Sequence, residues 1–208
     1  MKIYNVRVTE SVKQLSTRET YLYYCLLLHT DINTMVSHVK QETLSLFSGI
    51  DIKLIQDYLQ HIETLKIIKI RKEKIKSDNY IFNRNAYFLS DEHFVMISNR
   101  LYNEPISKDL IGFLILFKCL CLNGTNFSLY SIRHMEEELK ITKNTICKYL
   151  KEAKDKGYII RDKKKKAYKL TRNDLFIITP ENTFAFIKSF YPEILTDEDL
   201  KERKIYQY

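Results

Sequence analysis

Lys143, Asn144, Thr145, Lys148 and Lys151 share one side of a segment whose other side carries Ile146, Leu150 and Ala153. An apolar stripe at that spacing turns inward on a helix, so the five polar residues face outward from its first turns. Their types suit one chemistry. An Asn amide pairs with an adenine edge, a Thr contacts bases or a thymine methyl, and a Lys reaches guanine or phosphate. Further on, Arg161 and the run Lys163, Lys164, Lys165 and Lys166 add cations for a flanking backbone or a minor groove. Contacts of that second kind position a protein without reading sequence. The plain alternative is a solvated helix face and a solvated hairpin tip, as for most charge runs.

These side chains need a frame, and the stretch from Ser131 to Arg172 supplies one. Ile132, Met135 and Leu139 recur at helical spacing, Ile141 follows a tight turn, and Thr142 stands where an N-cap would accept a backbone N–H of the next helix. That helix stops at Gly157, the residue type that tolerates the left-handed conformation closing many helices. Tyr158 to Arg161 and Ala167 to Thr171 are rich in strand formers and flank the lysine run. Helix, turn, helix and basic hairpin follow in order. This pattern resembles the winged helix-turn-helix DNA-binding superfamily, and the resemblance implies that the second helix enters a major groove while the wing touches the backbone.

Charge placement agrees with an acidic partner. The 208 residues carry a net charge of +8 with a pI near 9.1. Residues 92–172 hold 17 Lys and Arg against 9 Asp and Glu, a net +8, while residues 1–91 hold 13 against 10, a net +3. The excess sits in the segment that carries the pattern. With 45% hydrophobic residues but only 4 Gly and 3 Pro, helices joined by short turns are expected, with a proper core.

The plan occurs twice. Ser16 stands 91 residues before Ser107, Ile50 before Ile141, Asp51 before Thr142, Ile55 before Ile146, Tyr58 before Tyr149, Leu59 before Leu150, and Ile68 before Ile159. Caps, turn isoleucine and core stripe therefore keep one register. Ser16 and Glu19 have capping-box spacing ahead of a first helix running to about Thr30. A small strand is expected around Val36, helices over Lys40 to Ser48 and beyond Asp51, and wing strands at Ile67 to Arg71 and Asn79 to Asn83. In this unit Lys53, Gln56 and Gln60 would face DNA with Lys69, Arg71, Lys72, Lys74 and Lys76 from the wing. Asp57 would repel phosphate there, and exposed Ile52 and Leu54 suit a protein interface equally well.

The expected fold is mainly α with small β-hairpin wings, an α+β chain of two tandem winged helix-turn-helix domains. Its divisions are an N-terminal winged helix at 1–84, a packed connector at 85–105, a C-terminal winged helix at 106–172 and a helical tail at 173–208. Residues 1–15 alternate loosely and suggest a strand or a short arm. The tail's aromatic side, with a helix over Glu181 to Phe190, would pack on the second domain or serve a homodimer.

No catalytic or metal site is apparent. His29, His38, His61, His93 and His134 lack H-E-x-x-H spacing, no phosphate-binding glycine loop is present, and Glu136, Glu137 and Glu138 read as an exposed helix face. Cys25, Cys119, Cys121 and Cys147 form no C-x-x-C pair and read as reduced thiols of a cytosolic protein. The start of the chain lacks the apolar core of a signal peptide, and the run from Ile111 to Leu122 is too short to span a bilayer. The expectation is a cytoplasmic, non-enzymatic, double-stranded-DNA-binding protein without cofactor or membrane partner. Tandem winged helices with a packed connector also resemble plasmid and phage replication initiators and replisome organisers, which implies a role in replication initiation or control and contact with replication proteins. A transcriptional regulator on its own operator and a winged-helix protein-interaction module are the alternatives.

Overall fold

Among the described residues the chain runs twice through nearly one element order. In a computed structural model that describes residues 3–77, 80–90, 92–122, 125–162 and 166–178, the first pass opens with strand β1 (Asn5–Thr9) and a 3-10 turn (Glu10–Gln14). It continues with α1 (Thr17–Leu27), the short strands β2 (Thr30–Asp31) and β3 (Val36–Ser37), helices α2 (Gln41–Ser48) and α3 (Ile52–Thr64), and the hairpin β4 (Ile68–Ser77) and β5 (Tyr80–Leu89). The second pass repeats this with β6 (Phe94–Ser98), a 3-10 turn (Asn99–Asn103), α4 (Lys108–Cys119), β7 (Phe127–Ser128), α5 (Ile132–Leu139), α6 (Lys143–Asp155) and the hairpin β8 (Ile159–Asp162) and β9 (Ala167–Leu170).

The architecture is mixed α/β, which corrects the mainly α expectation. Six α-helices and nine strands in three antiparallel sheets are present among the described residues. Two features account for the difference. Strands β4 and β5 pair over ten residues, from Ile68 opposite Leu89 to Ser77 opposite Tyr80. The charged residues of IKIRKEKIKS are weak strand formers by themselves, so the wing reads as shorter than it is; cross-strand pairing decides instead. The second feature is a ribbon of β1 and β6, antiparallel and distant in sequence, with Arg7 opposite Met96.

Helices α1 and α4 pack on each other at the centre. Leu22, Tyr23, Leu26, Phe113, Leu114 and Phe117 are wholly buried there, and each such side chain stabilises the fold by roughly 1.5–3 kcal/mol. Gly112 permits the approach: a Cβ on it would lie 1.8 Å from the Thr17 carbonyl oxygen. The capping box read at Ser16 holds. Ser16 Oγ accepts from the Glu19 backbone N–H at 3.3 Å, and the Glu19 carboxylate accepts from the Ser16 N–H at 2.9 Å and meets His61 Nδ1 of α3 at 2.6 Å. Burial works against charge on Glu19, yet the Ser16 and His61 contacts hold its pKa below the usual carboxylate range.

One polar cluster crosses the second unit. Lys118 of α4 is buried and donates to the Thr125 carbonyl at 2.7 Å and to Asn126 Oδ1 at 2.6 Å. Asn126 Nδ2 in turn donates to Asn173 Oδ1 and to the Phe176 carbonyl. Burial pushes the Lys118 pKa down to about 8. The chain after β9 thereby returns to the core, where the Ser98 N–H donates to the Leu175 carbonyl and that of Ile177 to Met96. The expected helix from Glu181 to Phe190, and any dimer contact of the tail beyond residue 178, lie outside the described residues.

Candidate nucleic-acid interface

The second unit gathers its predicted residues. On α6, Ile146, Leu150 and Ala153 are buried with Tyr149, while Lys143, Asn144, Lys148 and Lys151 are exposed and Thr145 is half-buried. The stripe read from the sequence therefore does orient the helix. Arg161 on β8 is exposed with its guanidinium over the Tyr168 ring, 5.6 Å from the centroid, and Lys166 stands exposed at the tip with φ 49°. Lys163, Lys164 and Lys165 lie outside the described residues.

Three of the predicted residues, Lys143, Arg161 and Lys166, border one open cleft of about 610 Å³ together with Ser131, Arg133 and Tyr168, while Asn144, Lys148 and Lys151 lie outside its lining. Four cations from two helices and the hairpin thus face a shared groove. One carboxylate joins them: Glu136 accepts from the Lys143 backbone N–H at 2.9 Å. This corrects the cap assignment, because Thr142 occupies the N-cap position but makes no capping bond, its hydroxyl meeting that of Thr145 instead. The acidic run read as an exposed helix face had concealed this use of Glu136. No local spacing signals it, since the bond spans the turn between two helices. A carboxylate at a helix N-terminus also complements the helix dipole.

The first unit is built alike but charged differently. Its cleft, about 450 Å³, is reached by His38, Lys40, Gln41, Asn83, Arg84 and Tyr87. The α2 residues stand 91 before their counterparts in the other cleft. Here, however, Arg84 pairs with Glu73 at 3.2 Å, and His38 approaches the same carboxylate at 3.7 Å, so the cationic character is largely cancelled. On α3, Lys53, Asp57 and Gln60 are exposed, Asp51 caps the helix through the Lys53 N–H, and Gln56 donates to Gln41 Oε1 at 3.2 Å. Leu54 is 40% exposed, and Leu46 on α2 is 88% exposed.

The β4–β5 hairpin, expected as this unit's wing, splits its predicted residues. Successive side chains of a strand point to opposite faces, so Lys69 and Arg71 lie on one face of β4, Arg71 over the Phe88 ring at 4.8 Å, while Lys72 and Lys74 lie on the other. The Lys76 side chain lies outside the described residues. Lysines legible as a cluster in sequence are therefore separated in space.

The four cysteines are free, with Cys25 and Cys119 buried. Burial pushes the Cys25 thiol up to about 12, far from a reactive thiolate. Among the described residues, no three His, Cys, Asp or Glu side chains gather in a way that could hold a metal, and no helix is long and apolar enough to cross a membrane. No family model, curated protein or solved structure matches the chain. The geometry stands by itself.

Proposed function

We propose that this chain is a double-stranded-DNA-binding protein in which α6 and the β8–β9 hairpin of a winged-helix unit read and clamp a DNA site. The role is replication initiation or control in a plasmid- or phage-like element. One observation carries the reading: Lys143, Asn144, Lys148 and Lys151 are exposed on the first turns of α6, and Lys143 opens onto one cleft with Arg133, Arg161 and Lys166. Exposed Asn on a helix flanked by Lys is the pairing that major-groove recognition uses. The first unit contributes Lys53, Gln60 and part of its wing, with weaker electrostatics because Glu73 neutralises Arg84. No reaction is catalysed and no cofactor takes part. A cytoplasmic setting, with free thiols and nucleic acid at hand, goes with this role.

A second reading, contact with a partner protein, is favoured by exposed Leu46 and Leu54 on the first unit. The two are compatible when one unit leads on DNA and the other on protein.

The test is recovery of bound fragments from sheared DNA of the source, at near-physiological salt, followed by sequencing. Enrichment of a repeat array in a replication origin supports the initiator role. Enrichment of promoter DNA turns the reading toward transcriptional control. No enrichment over random fragments removes sequence-specific binding and leaves the protein-partner reading.

A further inference from the structure

The repeat is direct in sequence but two-fold in space. Strand β1 and strand β6 correspond at an offset of 89 residues, and they pair antiparallel with Arg7 opposite Met96, its own counterpart. Helices correspond at an offset of 91, and again a residue meets its own counterpart: Arg18 of α1 binds Asp109 of α4 through two guanidinium nitrogens, Nε at 3.2 Å and Nη2 at 2.9 Å. Cross-contacts come in reciprocal pairs. The 3-10 turn of the second unit reaches α2, where Tyr102 donates to the Phe47 carbonyl at 2.7 Å with the two rings stacked 4.1 Å apart. In the two-fold-related place, Lys13 of the first 3-10 turn reaches Glu138 of α5 at 3.9 Å. Lys13 corresponds to Tyr102, and Phe47 to Glu138. Contacts in which i meets j′ while j meets i′ define an isologous, two-fold interface.

Helices α3 and α6 flank this axis at the Arg18–Asp109 end. Helix α3 packs against α1 and helix α6 against α4, counterpart contacts on the two sides of the pair. Lys108 at the start of α4 donates to the Gly49 carbonyl at 2.5 Å and so braces the turn that leads into α3. Tyr149 stacks on Phe113 of α4, ring centroids 5.1 Å apart. Both helices are therefore seated on the same central helix pair, and the pair is locked by hydrogen bonds across the axis.

Resting on the DNA-binding reading above, we propose that one chain binds one duplex through two half-sites in inverted orientation, as a two-fold dimer would, with no second copy needed. Duplex DNA has its own local two-fold axes, so a two-fold protein matches half-sites of opposite polarity, whereas a translated tandem array matches half-sites of the same polarity. The half-sites differ in sequence, because α6 offers Lys143, Asn144, Lys148 and Lys151 where α3 offers Ile52, Lys53, Asp57 and Gln60.

The experiment makes the two halves alike. Ile52→Lys, Lys53→Asn, Leu54→Thr, Asp57→Lys and Gln60→Lys together give α3 the outward face of α6. The full chain carrying these changes is titrated against duplexes holding two copies of the half-site recovered with the second unit, inverted or direct, with spacing varied through one helical turn of about 10 base pairs. The expected result is at least tenfold tighter binding to the best inverted probe than to the best direct probe. Preference for the direct probe, or equal affinity for a single half-site, overturns the proposal. Should the five-fold variant fail to fold, the otherwise wild-type chain decides: an iron chelate tethered to native Cys147 of α6, or to a Gln56→Cys variant at the corresponding place on α3, cleaves nearby DNA. Cuts on opposite strands mirrored about the site centre support the inference, and cuts merely translated along the duplex overturn it. Binding to no DNA at all fails the functional reading itself and is seen before either comparison begins.

Discussion

Gly49 and Lys140 hold the same left-handed backbone, φ 59° and 55°, at the same place in the two units. Each closes a helix, α2 or α5, its N–H donating to the carbonyl four residues back, Ser45 or Glu136. Lys66 and Gly157 repeat the relationship at the ends of α3 and α6, with φ 59° and 77°. In each pair the turn geometry is kept while one member has a side chain that resists it.

Lys140→Gly is therefore expected to stabilise the chain by about 0.5–1 kcal/mol. Relief of left-handed strain, about 1–2 kcal/mol for an L-residue, is partly offset by the greater freedom of glycine when unfolded. Gly49→Ala goes the other way, by about 1–2 kcal/mol, since its Cβ would also lie 2.5 Å from Lys108 Nζ. Urea unfolding midpoints of the two variants, moving in opposite directions, check this.

Lys148→Glu together with Lys151→Glu is expected to lower DNA affinity at least about a hundredfold, by losing two contacts to a polyanion and adding repulsion. Both side chains are exposed, so circular dichroism and thermal unfolding should be unchanged. In the unaltered chain, with about six phosphates neutralised by two units, log affinity against log salt should slope near −5, and near half that if one unit binds alone. Unchanged anisotropy titrations for a folded double variant would remove α6 from the interface.

Gly112→Ala tests the close approach of α1 and α4. A Cβ facing the Thr17 carbonyl at 1.8 Å cannot be absorbed by a rotamer change, so the helices must separate. A loss of about 2–3 kcal/mol, at the upper end of overpacking effects, is expected in chemical unfolding. DNA affinity should fall with it if both units grip one duplex.

Lys118 supplies a pH dependence of known sign. Its folded pKa, about 8, lies below its ordinary value of 10.5, so between those values the unfolded chain binds more protons than the folded one. Stability gained from this group therefore rises with pH across that window, by on the order of 2 kcal/mol from pH 8 to 10. Buried Cys25, Cys119 and Cys121, whose thiols burial raises above their ordinary 9.0, oppose it inside that window, and buried tyrosines such as Tyr23 oppose it above their ordinary 10. The comparison with Lys118→Met, unfolded at pH 8 and pH 10, isolates the effect, since the opposing groups are common to both chains: the stability difference should shift toward the wild type by about 2 kcal/mol between the two pH values.

Much of the helical plan was legible because it depends on local chemistry. Ser16, Asp51 and Ser107 cap the helices they precede, and Ile55, Leu59, Ile146 and Leu150 are buried as their spacing indicated. Thr142 shows the limit: its position was legible but its bond was not, because Glu136 lies across a turn. The extent of β4 was hidden by its lysines, whose pairing partners sit on another strand. The ribbon of β1 and β6 was hidden by a change of register. The strands correspond at 89 residues and the helices at 91, because the link from 3-10 turn to capping serine is two residues longer in the second unit. The two-fold axis follows from both offsets together, and no single one reveals it.

The β1–β6 ribbon also bears on how the chain is made. Residues 5–9 find their partners at 94–98, so the β1–β6 ribbon cannot form while the ribosome still holds the segment that completes it, although the first unit's own four-stranded sheet can. At roughly 5–20 residues per second, the first strand waits on the order of five to twenty seconds with its edge unpaired. During that interval α1 lacks α4 as well, and its buried face, Leu22, Tyr23 and Leu26, has no cover. Nascent chains of this protein are thus expected to need chaperone protection until the second unit emerges, and then to fold as one cooperative body rather than one unit at a time.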